Sequence, residues 1–117
     1  RKTANLAKDI SVDKAVCVSL ISPFKENRED ARKVIGDDKF IEAYIKCSPS
    51  VCEERDVKGM YKKARRNEIK DFIGVHTDYE IPDNPDLTVN TETDPLDDCV
   101  GQITEYIDDH GFYDSQR

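Results

Sequence analysis

With 117 residues, 18 Lys/Arg against 25 Asp/Glu and a formal charge of −7 at pH 7, the chain has room for one core and not two. Its acidic balance argues against general nucleic-acid binding. Apolar and charged residues each make up 37%, and no run approaches the roughly 18 apolar residues of a membrane-spanning helix.

Arg1 to Lys8 carries Ala4, Leu6 and Ala7 among polar residues, good helix formers with no N-cap in view. It leads into polar Asp9-Ile10-Ser11 rather than the apolar stretch of a secretory leader. After Asp13-Lys14, the run Ala15-Val16-Cys17-Val18-Ser19-Leu20-Ile21 is almost wholly apolar and rich in β-branched residues, which predicts a strand covered on both faces. Ser22-Pro23 stops it. Phe24 to Ile35 reads as a helix with Ala31, Val34 and Ile35 on one side, closed by Gly36.

A second strand is predicted over Phe40 to Cys47, followed by a helix with Ser48 as cap and Pro49 in its first position, running to Arg55. Arg55 to Lys70 is a basic island, with seven Lys/Arg against Asp56 and Glu68, a net of +5 in a chain of −7. It reads as a helix from about Lys58. Phe72 follows, then a loop set by Pro82, Asn84 and Pro85, a third strand over Leu87 to Thr91, and a last helix opened by Asp94-Pro95. That helix carries Leu96, Cys99, Val100, Ile103 and Ile107 on its apolar stripe.

Strand and helix alternate without a repeat, the α/β pattern with right-handed crossovers. Ligands in such sheets sit beyond the carboxyl ends of the strands, where Ser22-Pro23 is expected. Three strands make a thin sheet, which predicts further structure before Arg1. Cys17, Cys47, Cys52 and Cys99 have no zinc spacing with His76 or His110 and read as reduced, packed thiols, three of them in segments expected to be buried.

Two places carry chemistry. The basic island has a solvated surface helix as its plain alternative, but Gly59, Phe72 and the proline-rich loop describe a cover closing on an anionic ligand. At Ile21-Ser22-Pro23-Phe24, Ser22 either caps the turn or meets a substrate, and no base accompanies it for nucleophilic work. The pairs Asp37-Asp38, Asp97-Asp98 and Asp108-Asp109 read as capping or solvation.

These residues together resemble the adenylyl-sulfate kinases, which stand alone or form the kinase part of bifunctional PAPS synthetases. Ile21-Ser22-Pro23-Phe24 with Arg28 and Ala31-Arg32, Phe40-Ile41-Glu42, the block from Val51 to Arg65, Glu68-Ile69-Lys70, and Tyr79-Glu80 with Pro82 carry the resemblance, with spacing kept from first helix to last. It implies an α/β P-loop kinase fold, a parallel sheet flanked by helices, that transfers the γ-phosphoryl of Mg·ATP to the ribose 3′-hydroxyl of adenylyl sulfate (APS), giving PAPS and ADP. By position, Ile21 and Ser22 would line the APS site, Lys58 would reach its anionic groups and Phe72 would stack on its adenine. Ser22 also matches a serine described as a phosphoserine intermediate in the family, though in-line transfer with Ser22 positioning is preferred. Arg55, Asp94 and Cys99 would approach the ATP base, and no residue is assigned as a metal ligand. The implied partners are APS and ATP, a second copy in a homodimer, and a fused or associated ATP sulfurylase; no nucleic acid or membrane is implied, and the expected location is the cytoplasm.

The sequence also departs from the family. No Gly-x-x-x-x-Gly-Lys-Ser/Thr occurs, so the phosphate loop and its Mg²⁺ hydroxyl are absent, as is the family's acidic catalytic segment. The expectation is one partial domain, its C-terminal two thirds, with a lid over about 55–86 and no activity alone. The rival is a degenerate non-catalytic nucleotide-binding or regulatory module. Ile73 stands where threonine is usual, Arg66-Asn67 where Ala-Gly is, and His76 where aspartate is common.

Overall fold

The computed structural model describes residues 2–11 and 15–111, so Arg1 and the Asp13-Lys14 lead-in lie outside the described residues. Helix α1 spans Lys2–Ile10 and α2 spans Lys25–Ile35, the pair packing together with Ala4 and Ala7 buried. Alanines permit the close approach. Phe24 is the N-cap of α2, and Gly36, at φ 105, ends it by donating its N–H to the Arg32 carbonyl, a left-handed stop that glycine adopts freely. A single 3-10 turn, Asp37–Lys39, leads to strand β1, Ala43–Lys46.

Ser48 caps α3, Pro49–Arg55, by accepting from the Val51 N–H, with Pro49 at the start as expected. The basic island contributes α4, Met60–Arg65, whose first amides are held by a side chain outside the helix. The Asp56 carboxylate accepts from the N–H groups of Tyr61 at 2.8 Å and Lys62 at 3.2 Å. Strand β2, Leu87–Asn90, pairs in parallel with β1, Ala43 opposite Leu87 and Lys46 opposite Asn90. Helix α5, Leu96–Asp109, crosses back against β2 with Cys99 buried.

The expected α/β class and parallel pairing are present, with two strands rather than three among the described residues. Ala15 to Ile21 is not a strand: it has no regular secondary structure, with Val18 47%, Leu20 62% and Ile21 66% exposed. A strand exists only through a neighbour's ladder, and no described segment pairs with this one. Two expectations fall with it. Cys17 is exposed rather than buried, and Ser22-Pro23 does not stand at a strand's carboxyl end.

The core is small among the described residues. Ala4, Ala7, Ala64, Val89 and Cys99 are its buried apolar members there, and on α5 Leu96 and Val100 remain exposed on the expected stripe. The accessible surface of 8943 Å² exceeds the roughly 6500 Å² of a folded chain of this size. Polar ties therefore carry much of the tertiary order. Val89, fully buried on β2, is the largest side chain in the core. Val89→Ala is expected to lower stability by about 2 kcal/mol in urea unfolding; a loss under about 0.5 kcal/mol would show that β2 is not the centre of the fold.

Candidate functional site

The expected site residues fall into three groups. In the first, Ile21 is exposed and Ser22 adopts φ 43, a left-handed backbone unusual for a serine. Arg28 of α2 donates from Nη1 to the Ser22 carbonyl and from Nη2 to the Glu80 carbonyl. Its Nε lies 3.4 Å from Glu42 Oε2, and its guanidinium sits 5.3 Å from the Tyr79 ring centroid. Glu80 answers twice, its N–H donating to the Pro23 carbonyl at 2.8 Å and its Oε1 accepting from the Lys25 N–H at 2.8 Å. Tyr79 stacks on Tyr44 of β1, and burial pushes its phenol up. The turn is thus tied to Glu42, just before β1, rather than to the carboxyl ends of the strands.

The second group lies in the basic island. Lys58 is exposed, next to the left-handed Gly59, and makes no ion pair among the described residues. Phe72 meets Tyr61 edge to face at 4.9 Å between centroids. Its N–H donates to His76 Nδ1 at 3.0 Å, while its carbonyl accepts from the N–H groups of Val75, His76 and Thr77. His76, expected to have no strong role, therefore closes the turn that presents Phe72. Arg65 is engaged elsewhere, in a two-pronged pair with Glu53 at 2.8 Å for each contact, which lowers the Glu53 carboxyl.

The third group gathers where β1 and β2 end. Arg55 donates to the Thr91 carbonyl at 3.0 Å and lies 3.8 Å from Cys47 Sγ. Thr91 donates twice to the Lys46 carbonyl, and the Ser48 N–H donates to Glu92, whose carboxyl is lowered by its hydrogen bonds with Ser48. Asp94 accepts from Gln102 Nε2 at 3.0 Å, and the buried Cys99 thiol donates to the Asp94 carbonyl at 3.6 Å. Arg55 and Cys99 thus both bond into the segment 91–94 that holds Asp94. Beside them burial, then Cys47, raise the Cys52 thiol, and burial, then Cys52, raise the Tyr61 phenol. All four thiols are free.

No described hydrogen bond or ring contact joins Ser22 to Lys58 or Phe72. Nor do these residues line either open groove. One, of about 420 Å³, lies between Glu53, Asp56, Tyr61, Lys62, Arg65 and Arg66. The other, of about 500 Å³, holds Lys25, Arg28 and Arg32 against five carboxylates, including Glu42, Asp83 and Asp86, and repels anions. Among the described residues no three His, Cys, Asp or Glu side chains gather as metal ligands. Arg28 enters the sequence reading only through the family resemblance, and Tyr61 and His76 carry no role there; the reach of Arg28 to Glu80 spans 52 residues, which spacing does not encode, whereas His76 bonds to Phe72 only four residues away.

Gly74, at φ 98, lies under Tyr61: a Cβ there would sit 3.0 Å from the phenol oxygen and 3.3 Å from the ring. Gly74→Ala is expected to cost about 1–2 kcal/mol through backbone strain and to displace Tyr61 from Phe72. Loss of the Tyr61–Phe72 ring NOE checks this, and an intact cross-peak would show that Tyr61 has room to shift.

The chain is 47% identical over 109 residues to the adenylyl-sulfate kinase of Clostridium kluyveri, covering 92% of this chain and 54% of that protein. To the adenylyl-sulfate kinase of Clostridium acetobutylicum it is 51% identical over 92 residues, 79% of this chain and 46% of the relative. It thus spans about half the length of the curated relatives it matches. Among solved structures, the Mycobacterium tuberculosis APS kinase in complex with AMPPNP and APS superposes with a TM-score of 0.73 at 31% identity, covering 91% of this chain and 66% of that one. Residues 1–90 match the family model described as adenylylsulphate kinase, and the chain belongs to that family.

Proposed function

We propose that this chain is the APS-binding part of an enzyme that activates sulfate by phosphorylating the ribose 3′-hydroxyl of adenylyl sulfate with ATP, giving PAPS and ADP. The observation that carries the reading is the likeness, over 91% of the chain, to a kinase solved with both AMPPNP and APS. In this reading residues 1–117 are one partial domain, and about 55–86 form its lid. Ile21 and Ser22 line the APS site, with Ser22 positioning substrate for in-line transfer. Lys58, which makes no ion pair among the described residues, neutralises the anionic end of APS, and Phe72, held by Tyr61 and His76, stacks on its adenine. Arg55, Asp94 and Cys99 form the side that meets the ATP base.

Phosphoryl transfer of this kind uses Mg²⁺ to neutralise charge on the triphosphate. The residues present do not fit a Mg²⁺ site of this kind: the sequence has no Gly-x-x-x-x-Gly-Lys-Ser/Thr hydroxyl, and among the described residues no three His, Cys, Asp or Glu side chains are placed to hold a metal ion. No step through the metal is therefore assigned to them. A second copy and an ATP sulfurylase, fused or associated, are the partners that accompany the reading, with the cytoplasm as the place of action. Among the described residues no helix is long and apolar enough to cross a membrane.

The missing phosphate-loop motif favours one second reading, a non-catalytic module that binds a nucleotide. Incubating the 117-residue polypeptide with ATP, Mg²⁺ and APS is expected to give no PAPS by chromatography, while titration calorimetry records APS binding. PAPS formation would show that the loop is dispensable, and absence of APS binding would end both readings of the substrate side. Lys58→Ala is expected to weaken APS binding about tenfold, roughly 1.4 kcal/mol, with the circular dichroism spectrum unchanged. An affinity equal to the parent's would remove Lys58 from the site.

A further inference from the structure

Arg28 lies one turn into α2, yet its side chain is spent on other segments. Its two terminal nitrogens donate to backbone carbonyls of Ser22 and Glu80, while Nε faces Glu42 and the guanidinium plane lies over Tyr79. Residues 22 and 80 are far apart in sequence, and Glu80 adds two bonds of its own, to the Pro23 carbonyl and from the Lys25 N–H. Four hydrogen bonds thus join a substrate-side turn to the loop that leaves the Phe72 cover. Ser22 sits at φ 43, a conformation that a serine leaves unless its surroundings fix it.

Only a planar fork fits this task. A guanidinium presents several donors in fixed directions and stacks on a ring, whereas an ammonium is a point charge that bridges the same two carbonyls poorly. We infer that Arg28 is a positioning residue: it holds the left-handed backbone of Ser22 and couples it to the Tyr79–Glu80 loop, so that ligand contact at Ile21-Ser22 and closure of that loop are one event. The ligand half of this statement rests on the proposed APS site. The mechanical half does not.

Residue-resolved hydrogen exchange on the 117-residue chain separates the two. Without ligand, Arg28→Gln is expected to speed exchange at the Lys25 and Glu80 amides at least tenfold while leaving the Thr91 amide, bonded to the Lys46 carbonyl across the sheet, unchanged. Arg28→Lys should fall between, a graded rescue that simple loss of packing does not give. Equal exchange at Lys25 and Glu80 in both variants and the parent overturns the clamp. If Thr91 also accelerates in Arg28→Gln, the variant has lost its fold and Arg28→Lys decides alone: faster Lys25 and Glu80 with steady Thr91 supports the clamp, and no change overturns it. Saturating APS is then expected to slow the Glu80 amide in the parent and not in Arg28→Gln. APS that binds without slowing Glu80 in the parent overturns the coupling. APS that fails to bind the parent overturns the proposed substrate and the ligand half with it, while the ligand-free comparison still decides the clamp.

Discussion

A guanidinium loses much of its hydration when buried, and the fold around Arg28 answers that cost group by group. Glu42 supplies the counter-charge, Ser22 and Glu80 supply carbonyls, and Tyr79 supplies an aromatic face. Among the described residues no buried side-chain nitrogen or oxygen lacks a partner. Removing one member of such a buried pair typically costs about 3–5 kcal/mol, a large share of the roughly 5–15 kcal/mol that stabilises an ordinary domain. The apolar core here is chiefly alanine with Val89 and Cys99, so this polar junction weighs more than it would under a thick sheet. Arg32 extends it along α2. Burial opposes its charge, but its pairs with Asp86 and Asp37 outweigh that and hold its pKa above the ordinary value.

Much of the fold was legible because it is locally encoded. Ser48-Pro49 announces a helix start whatever surrounds it, Gly36 a helix end, and the prolines at 82 and 85 a loop. The run Ala15 to Ile21 has a composition that suits a strand buried on both faces, yet composition does not say what lies alongside. A helix satisfies its own backbone, while a strand depends on another segment. The same distinction governs the site. Ser22, Phe72 and the basic island stand out by residue type and place, while the family resemblance singles out Ile21 and Lys58 and gives each residue a role; chemistry alone leaves each with a plain structural alternative. The grip of Arg28 on Glu80, 52 residues away, has no local signature, whereas that of His76 on Phe72 is a four-residue turn contact that depends on the backbone of that turn.

The basic island also divides into working parts that its charge count conceals. Arg65 is bound to Glu53, and Asp56 is occupied with the amides that open α4. Arg55 donates to the Thr91 carbonyl just beyond β2. The cations of the island left exposed without an ion pair among the described residues are Lys58, Lys62, Lys63, Arg66 and Lys70. A net of +5 thus overstates how specifically the island is aimed. Lys58 stands apart by its place at the Gly59 bend rather than by its charge.

The parallel pairing of β1 with β2 encloses the 40 residues from Cys47 to Asp86, the proposed lid of about 55–86 among them, as a single excursion pinned at both ends. Closing such an excursion costs conformational entropy that rises only logarithmically with its length, about 0.6 kcal/mol for each doubling. Insertions or substitutions inside it therefore leave the strand pair almost undisturbed, provided Glu42, Asp86 and the ladder are kept. Arg66-Asn67, Ile73 and His76 all fall within that enclosed span. The sheet gives that span latitude to vary in length without renegotiating the strand pair.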